Sequence, residues 1–183
     1  MRHDELATID CSVSRASAIL GERWVFRILQ AAFLRARTFE DFQRGTGVAR
    51  NVLTDRLRML EDRGVLERRP YEAAGERVRY EYRLTPAGLE LYPIIAALMD
   101  WGDRHTGLPD GPPTLLRHES CGCDTHAVVV CGCCGERLDP REVTPRPGPG
   151  AGPDHPLRRW ARPGDEDRRA VAGRPAGGEH AAG

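Results

Sequence analysis

The feature that most constrains this chain is the stretch Gly47-Val48-Ala49-Arg50-Asn51-Val52-Leu53-Thr54-Asp55-Arg56-Leu57-Arg58-Met59-Leu60-Glu61-Asp62-Arg63-Gly64. Leu53, Leu57 and Leu60 recur at helical spacing and line one stripe of a helix about four turns long. Arg50, Asn51, Thr54 and Arg58 fall largely on the opposite side. Such a helix is either an ordinary amphipathic element with a solvated face or one built to lie in a DNA groove. Its neighbours decide between the two.

Upstream, Ser12 or Ser14 is placed to cap a first helix carrying Ala16, Ile19 and Leu20 and ending near Gly21. A second helix is expected from about Arg23, with Trp24, Ile28, Leu29 and Ala32 on its inner face. Thr38, three residues before Asp41, resembles a capping box opening a short helix from Phe39 to Arg44, with Phe39 and Phe42 inward. Gly45-Thr46-Gly47 reads as a turn. A short helix, a Gly-bearing turn and a longer helix with polar groups near its start form a helix-turn-helix pattern.

Beyond Gly64, which suits a left-handed C-cap, the period shortens. Val65 to Tyr71 reads as a strand ending at Pro70, and Glu72 to Glu76 as a loop. Val78-Arg79-Tyr80-Glu81-Tyr82-Arg83-Leu84 alternates, with Val78, Tyr80, Tyr82 and Leu84 on one face. Two antiparallel strands with an Arg-bearing tip form a wing. Thr85-Pro86 then caps one helix from Ala87 to about Arg104. Its apolar stripe of Leu91, Ile94, Ile95, Leu98, Met99 and Trp101 is wide enough to serve a dimer interface as well as a core.

Charge adds local detail. The chain has 27 basic and 27 acidic residues, so no global excess advertises nucleic-acid binding. Between Arg44 and Leu84, ten Arg stand against seven acids, and a dimer would double that bias. Arg50, Asn51 and Thr54, near the helix start, suit base reading; Arg58, Arg77 and Arg79 suit phosphates. Arg56 and Arg63 are expected to pair with Glu61, Asp62 or Glu67. No His/Ser/Asp arrangement, phosphate-cradling loop or acid pair suggests an enzyme. No apolar run approaches ~20 residues and no signal-peptide core follows Met1, so a soluble, cytoplasmic protein without membrane association is expected.

The chain resembles the HxlR-type winged-helix regulators of bacteria over about Cys11 to Leu108. The carrying residues are Cys11-Ser12-Val13, Gly21-Glu22-Arg23-Trp24, Arg37-Thr38-Phe39-Glu40-Asp41-Phe42, Ala49 to Leu57, Leu66 to Tyr71, Arg79 to Gly88 and Trp101-Gly102-Asp103. The resemblance implies a mainly α winged helix-turn-helix with a small β-hairpin, pairing as a homodimer through its terminal helices. It implies sequence-specific binding to a pseudo-palindromic operator on double-stranded DNA without a required cofactor, repression more than activation, and an effector that the sequence does not reveal. The alternative is a winged-helix protein–protein interaction module. In part of the family a cysteine just ahead of the first helix senses electrophiles or oxidants, and Cys11 matches that position. A thiolate there gains from the helix dipole and from Arg15 one turn away; a packed, inert thiol is the other reading.

Residues 1–10 read as an N-terminal arm, 11–108 as the DNA-binding domain and 109–144 as a Cys/His-rich extension holding five of the six cysteines. Cys131-x-x-Cys134-Gly135 has zinc-knuckle spacing, and Ala127 to Val130 looks like a strand leading into it. Cys121 with Cys123 or His118 could complete four ligands, although Cys121-x-Cys123 chelates poorly and Cys133 is surplus. Structural zinc, exposed redox thiols and a remnant without function all remain open. Residues 145–183, with eight Gly and seven Pro, read as a disordered tail.

Overall fold

In the computed structural model the described residues are 11–72, 78–107, 109–152 and 155. The arm 1–10, Arg77 at the wing tip and most of the 145–183 segment therefore lie outside the described residues. The chain divides into two compact units after Leu138. The larger unit contains α1 (Ser12–Leu20), α2 (Val25–Phe33), α3 (Phe39–Thr46), α4 (Arg50–Asp62), β1 (Leu66–Glu72), β2 (Val78–Leu84), α5 (Pro86–Leu89), α6 (Tyr92–His105), β3 (Leu116–His118) and β4 (Cys123–Thr125).

One apolar core holds these helices together. Val25, Ile28 and Leu29 of α2, Phe42 of α3 and Leu53, Leu57 and Leu60 of α4 have no exposed surface, and Val48, Leu66 and Ile95 close the cluster. The i, i+4, i+7 leucines of α4 thus form the inner stripe the spacing predicts. Truncating any one to Ala would cost about 2–5 kcal/mol.

Local chemistry sets the helix ends. The Thr38 hydroxyl accepts from the Asp41 N–H (3.2 Å), and the Asp41 carboxylate accepts from the Thr38 N–H (3.0 Å). This is the expected capping box. Helix α3 runs two residues past Arg44 because Thr46, buried, bonds back to the Phe42 carbonyl (2.6 Å). The turn is consequently Gly47 to Ala49, with Gly47 at φ 68°. Beyond the last turn of α4, Gly64 takes φ 67°, and the Val65 N–H reaches the Leu60 carbonyl (2.9 Å), the side chains of both being buried. That 6→1 bond with its apolar contact is what a left-handed glycine stop provides.

Three expectations need correction. Neither Ser12 nor Ser14 caps α1: both lie inside the helix, Cys11 is its N-cap, and Ala16 faces solvent. The long helix Ala87–Arg104 is two helices, α5 and α6, broken at Glu90–Leu91. Pro93 explains the break, since it has no N–H to give and its ring clashes with the carbonyl of Leu89 in a continuous helix. Finally, β1 runs on through Pro70 to Glu72. In a two-stranded sheet both strands are edges, where a missing N–H is tolerated.

The wing pairs Leu66 with Leu84, Arg68 with Tyr82 and Pro70 with Tyr80. Tyr82 packs edge-on against Phe42 (6.0 Å between centroids), while Tyr80 and Val78, beyond the core, are exposed. The Tyr82 N–H also donates to the Arg37 carbonyl (2.7 Å), a single rung that ties the wing to the lead-in of α3.

The junction between α4, wing and α5 is tightest at Gly88. A Cβ there would lie 2.2 Å from the Val65 carbonyl oxygen, while the Thr85 hydroxyl donates to the Gly64 carbonyl (2.6 Å) and accepts from the Gly88 N–H (3.0 Å). Gly102 in α6 meets nothing within 4 Å. Gly88→Ala should therefore lower stability by about 1–3 kcal/mol. Gly102→Ala should leave it unchanged or raise it by about 0.5–1 kcal/mol, both read from urea midpoints at constant slope.

Candidate nucleic-acid interface

On the face of α4 opposite its leucines, Arg50, Asn51, Thr54 and Arg58 are all exposed, with Asp55 and Asp62 along one margin. The structure thus brings four of the six expected DNA-contacting residues onto one surface. Arg79, on β2, is exposed on the outer face of the wing. Arg77 lies outside the described residues.

Arg50 is not a free cation. Its guanidinium lies 4.8 Å from the Phe39 ring centroid and donates to Gln43 Oε1 (3.0 Å). Helix α3 therefore braces the first side chain of α4, which lowers the entropy lost when that arginine engages a partner. The Thr54 hydroxyl donates to the Arg50 carbonyl (2.8 Å), leaving its oxygen free to accept from a partner.

Arg56 belongs to the scaffold, but through a different partner than expected. It pairs with Glu22 (2.5 Å), in the turn ahead of α2, both about three-quarters buried, and not with Glu61, Asp62 or Glu67. Its Nε is buried without a hydrogen-bond partner. The wing's outer face carries the pairs Glu67–Arg69 (2.5 Å) and Glu81–Arg83 (2.8 Å), facing one another across the strands. Arg68 lies 3.7 Å over Tyr80. Braces such as Phe39–Arg50 and Glu22–Arg56 could not be found from periodicity, because they join separate elements.

Helix α6 presents a second surface. Ile95 and Ala96 point inward, whereas Ile94, Leu98 and Trp101, at i, i+4 and i+7, are about half exposed. Tyr92 is edge-on to Phe33 (5.3 Å). Among the described residues no helix is long and apolar enough to cross a membrane.

Cys11 sits at the N-cap of α1, partly exposed, its carbonyl accepting from the Arg15 N–H (3.0 Å). In the extension, Ala127 to Val130 is not a strand. Only Val130 bridges to Arg137, across the turn at Cys131–Gly135 (Gly135 φ 75°), and the Val129 carbonyl accepts from the Leu138 N–H (3.0 Å). The hairpin there is β3–β4 instead.

The cysteines fall into separate groups. Cys121 Sγ lies 3.3 Å from His118 Nδ1, and Cys134 Sγ 3.7 Å from Glu136 Oε2. Backbone N–H groups of Cys134 and Cys133, with the Cys134 thiol, hold the Cys131 thiol below its usual pKa. For Cys134 the Glu136 N–H pulls down, but donation to Cys131, burial and the charges of Cys131 and Glu136 outweigh it and raise the value. Among the described residues no three His, Cys, Asp or Glu side chains are arranged to hold a metal ion. The set Cys121, Cys123, Cys131, Cys134 is therefore not brought together as a ligand group.

A capped short helix, a turn, a helix with an exposed Arg/Asn/Thr face and a hairpin define a winged helix-turn-helix protein. A family model described as HxlR-like helix-turn-helix matches residues 19–109. The uncharacterized HTH-type transcriptional regulator Rv3095 of Mycobacterium tuberculosis is 46% identical over 139 residues, 76% of this chain and 87% of that protein. YdeP of Bacillus subtilis, of the same description, is 31% identical over 96 residues, 52% of this chain and 73% of that protein. The crystal structure of PA1607, assigned as a transcription factor, matches with TM-score 0.69 and 29% identity over 78% of this chain and 98% of that one. PA1374 of Pseudomonas aeruginosa matches with TM-score 0.55 and 29% identity over 81% and 99%. The chain belongs to the HxlR-like helix-turn-helix family of transcriptional regulators. The match to Rv3095 runs well beyond the family region, so that relative shares part of the extension.

The Asp41 carboxyl is held below its usual pKa, first by the Thr38 backbone N–H, then by the Thr38 side chain, against a small burial penalty. A depressed native value means the cap's contribution is complete above the unfolded carboxyl value of about 4 and is lost as pH falls through the native one. Asp41→Asn should remove that part of the acid dependence below about pH 4, read from thermal midpoints of parent and variant against pH.

Proposed function

We propose that the protein is a homodimeric regulator that binds a pseudo-palindromic DNA site, placing α4 in the major groove of each half-site and the wing along the adjacent backbone. The observation that carries this reading is the α4 face: Arg50, Asn51, Thr54 and Arg58 exposed above three leucines with no exposed surface. A helix so anchored presents polar groups at fixed positions, as base reading requires.

Arg50 suits guanine and Asn51 suits adenine, each by two hydrogen bonds. Thr54 offers an acceptor and a methyl. Arg58, Arg79 and Arg77 supply phosphate contacts that fix register. The half-exposed Ile94, Leu98 and Trp101 of α6 form the dimer seam, which removes an apolar stripe from water. Repression by occupying a promoter in the cytoplasm fits this geometry, and DNA binding so built needs no cofactor. Cys11, at a helix N-cap and partly exposed, is the thiol through which an oxidant or electrophile would act.

Binding to the region upstream of the protein's own gene should weaken steeply with salt. Arg50→Ala with Asn51→Ala should erase the preference for that DNA over random DNA, at about 1–3 kcal/mol per lost base contact. Arg79→Ala should weaken both about equally. Unchanged preference in the double variant would contradict the site. Leu98→Glu should convert dimer to monomer in sedimentation; a parent already monomeric at micromolar concentration would contradict the seam.

A further inference from the structure

Several arginines of this chain are already engaged: Arg56, Arg69, Arg83 and Arg104 each have a carboxylate oxygen at 2.5–2.8 Å. Arg27 and Arg35 have no carboxylate within 4 Å among the described residues, and Arg44 has only a loose approach to Asp41 (3.7 Å). These three line a single cleft of about 340 Å³ between α2 and α3, together with Gln30, Asp41 and Gly45.

Arg35 is the least expected of them. At φ 71° it is the one non-glycine with positive φ among the described residues. The Ala36 N–H reaches the Ala31 carbonyl (2.9 Å) and the Arg35 N–H the Ala32 carbonyl (3.1 Å), so Arg35 occupies the position where a helix normally ends on glycine. A side chain is carried there against backbone preference, a local outlier of the kind that marks ligand-holding sites.

The electrostatics point the same way. Asp41 is the only carboxylate in the lining, and its oxygen already accepts from the Thr38 and Arg37 N–H groups (3.0 and 3.3 Å). Arg27 donates to the Gly45 carbonyl (3.4 Å), covering the negative end of α3. Three guanidiniums facing one concavity repel one another until an anion lies between them, and their planar forks match phosphate oxygens.

We propose that this cleft binds a phosphate group, held by Arg27, Arg35 and Arg44 with Gln30 as a further donor. Its volume also admits a small organic group attached to that phosphate. The source is either a free phosphorylated small molecule or a backbone phosphate of bound DNA. Either would bridge α2 to the last turn of α3, just ahead of the turn that delivers α4, and so fix the presentation of its outer face.

The test uses the full-length protein with inorganic phosphate as probe, in chloride of matched ionic strength, followed by calorimetry and by amide shifts of Gln30 and Gly45. Arg35→Gly is the informative variant, because glycine suits φ 71° and the fold should be at least as stable. A free-ligand site predicts saturable binding, about tenfold weaker in Arg35→Gly and in Arg27→Gln, where one charge-assisted bond is lost. A backbone-phosphate site predicts no saturation by free phosphate, but a salt slope of DNA binding shallower by about 1 in either variant. Absence of saturable phosphate binding in the parent together with unchanged slopes overturns the proposal. The phosphate arm requires no DNA, so if the protein binds none, that arm alone decides and the failure belongs to the DNA-binding reading.

Discussion

The structure depends on the burial of one leucine stripe. Leu53, Leu57 and Leu60 are enclosed by Val25, Ile28 and Leu29 of α2, Phe42 of α3, Leu66 at the wing's base and Ile95 of α6. Each surrounding element needs the stripe to bury its own apolar side, since a small domain has no other core to offer. The stripe also determines which residues of α4 cannot be buried. With the leucines inward, Arg50, Asn51, Thr54 and Arg58 are held outward without any interaction of their own being required. The exposed polar face of α4 is thus a consequence of its packing face.

From that helix outward, connections are short and chemically specific. Gly64 stops α4, Val65 turns its side chain into the core, and its carbonyl accepts from the Thr85 N–H (3.1 Å) at the end of the wing. Gly88 fits against the same carbonyl because it lacks a Cβ. Helix α4, the wing and the entry to α5 therefore meet around two residues. On the other side, Glu22–Arg56 ties α4 to the turn ahead of α2, and Arg37–Tyr82 ties the wing to α3. Through these links α4 and the hairpin are held as one piece, as reading adjacent parts of a duplex demands.

Most of this was legible where local periodicity and caps carry the signal. The leucine spacing, Thr38 with Asp41, Gly64 and the alternation from Val78 to Leu84 each name an element, because each involves residues within one or two turns. Pro93 was equally visible, yet the apolar run from Leu91 to Trp101 reads as one helix across it, and a missing N–H outweighs that pattern. What stayed hidden are contacts between elements: Phe39 and Gln43 beneath Arg50, Glu22 beside Arg56, the arginine-lined cleft. The cysteines misled for a related reason. Their spacing resembles ligand pairs, but a four-ligand site needs two turns to converge, and spacing within each turn carries no information about that.

Whether α4 and the wing face DNA is tested most directly by mapping amide shifts of the isotopically labelled protein on titration with the DNA upstream of its gene. The largest changes are expected from Arg50 to Arg58 and along β2 around Arg79, with α6 little affected beyond its ends. Changes concentrated on Ile94, Leu98 and Trp101, with α4 silent, would contradict that placement.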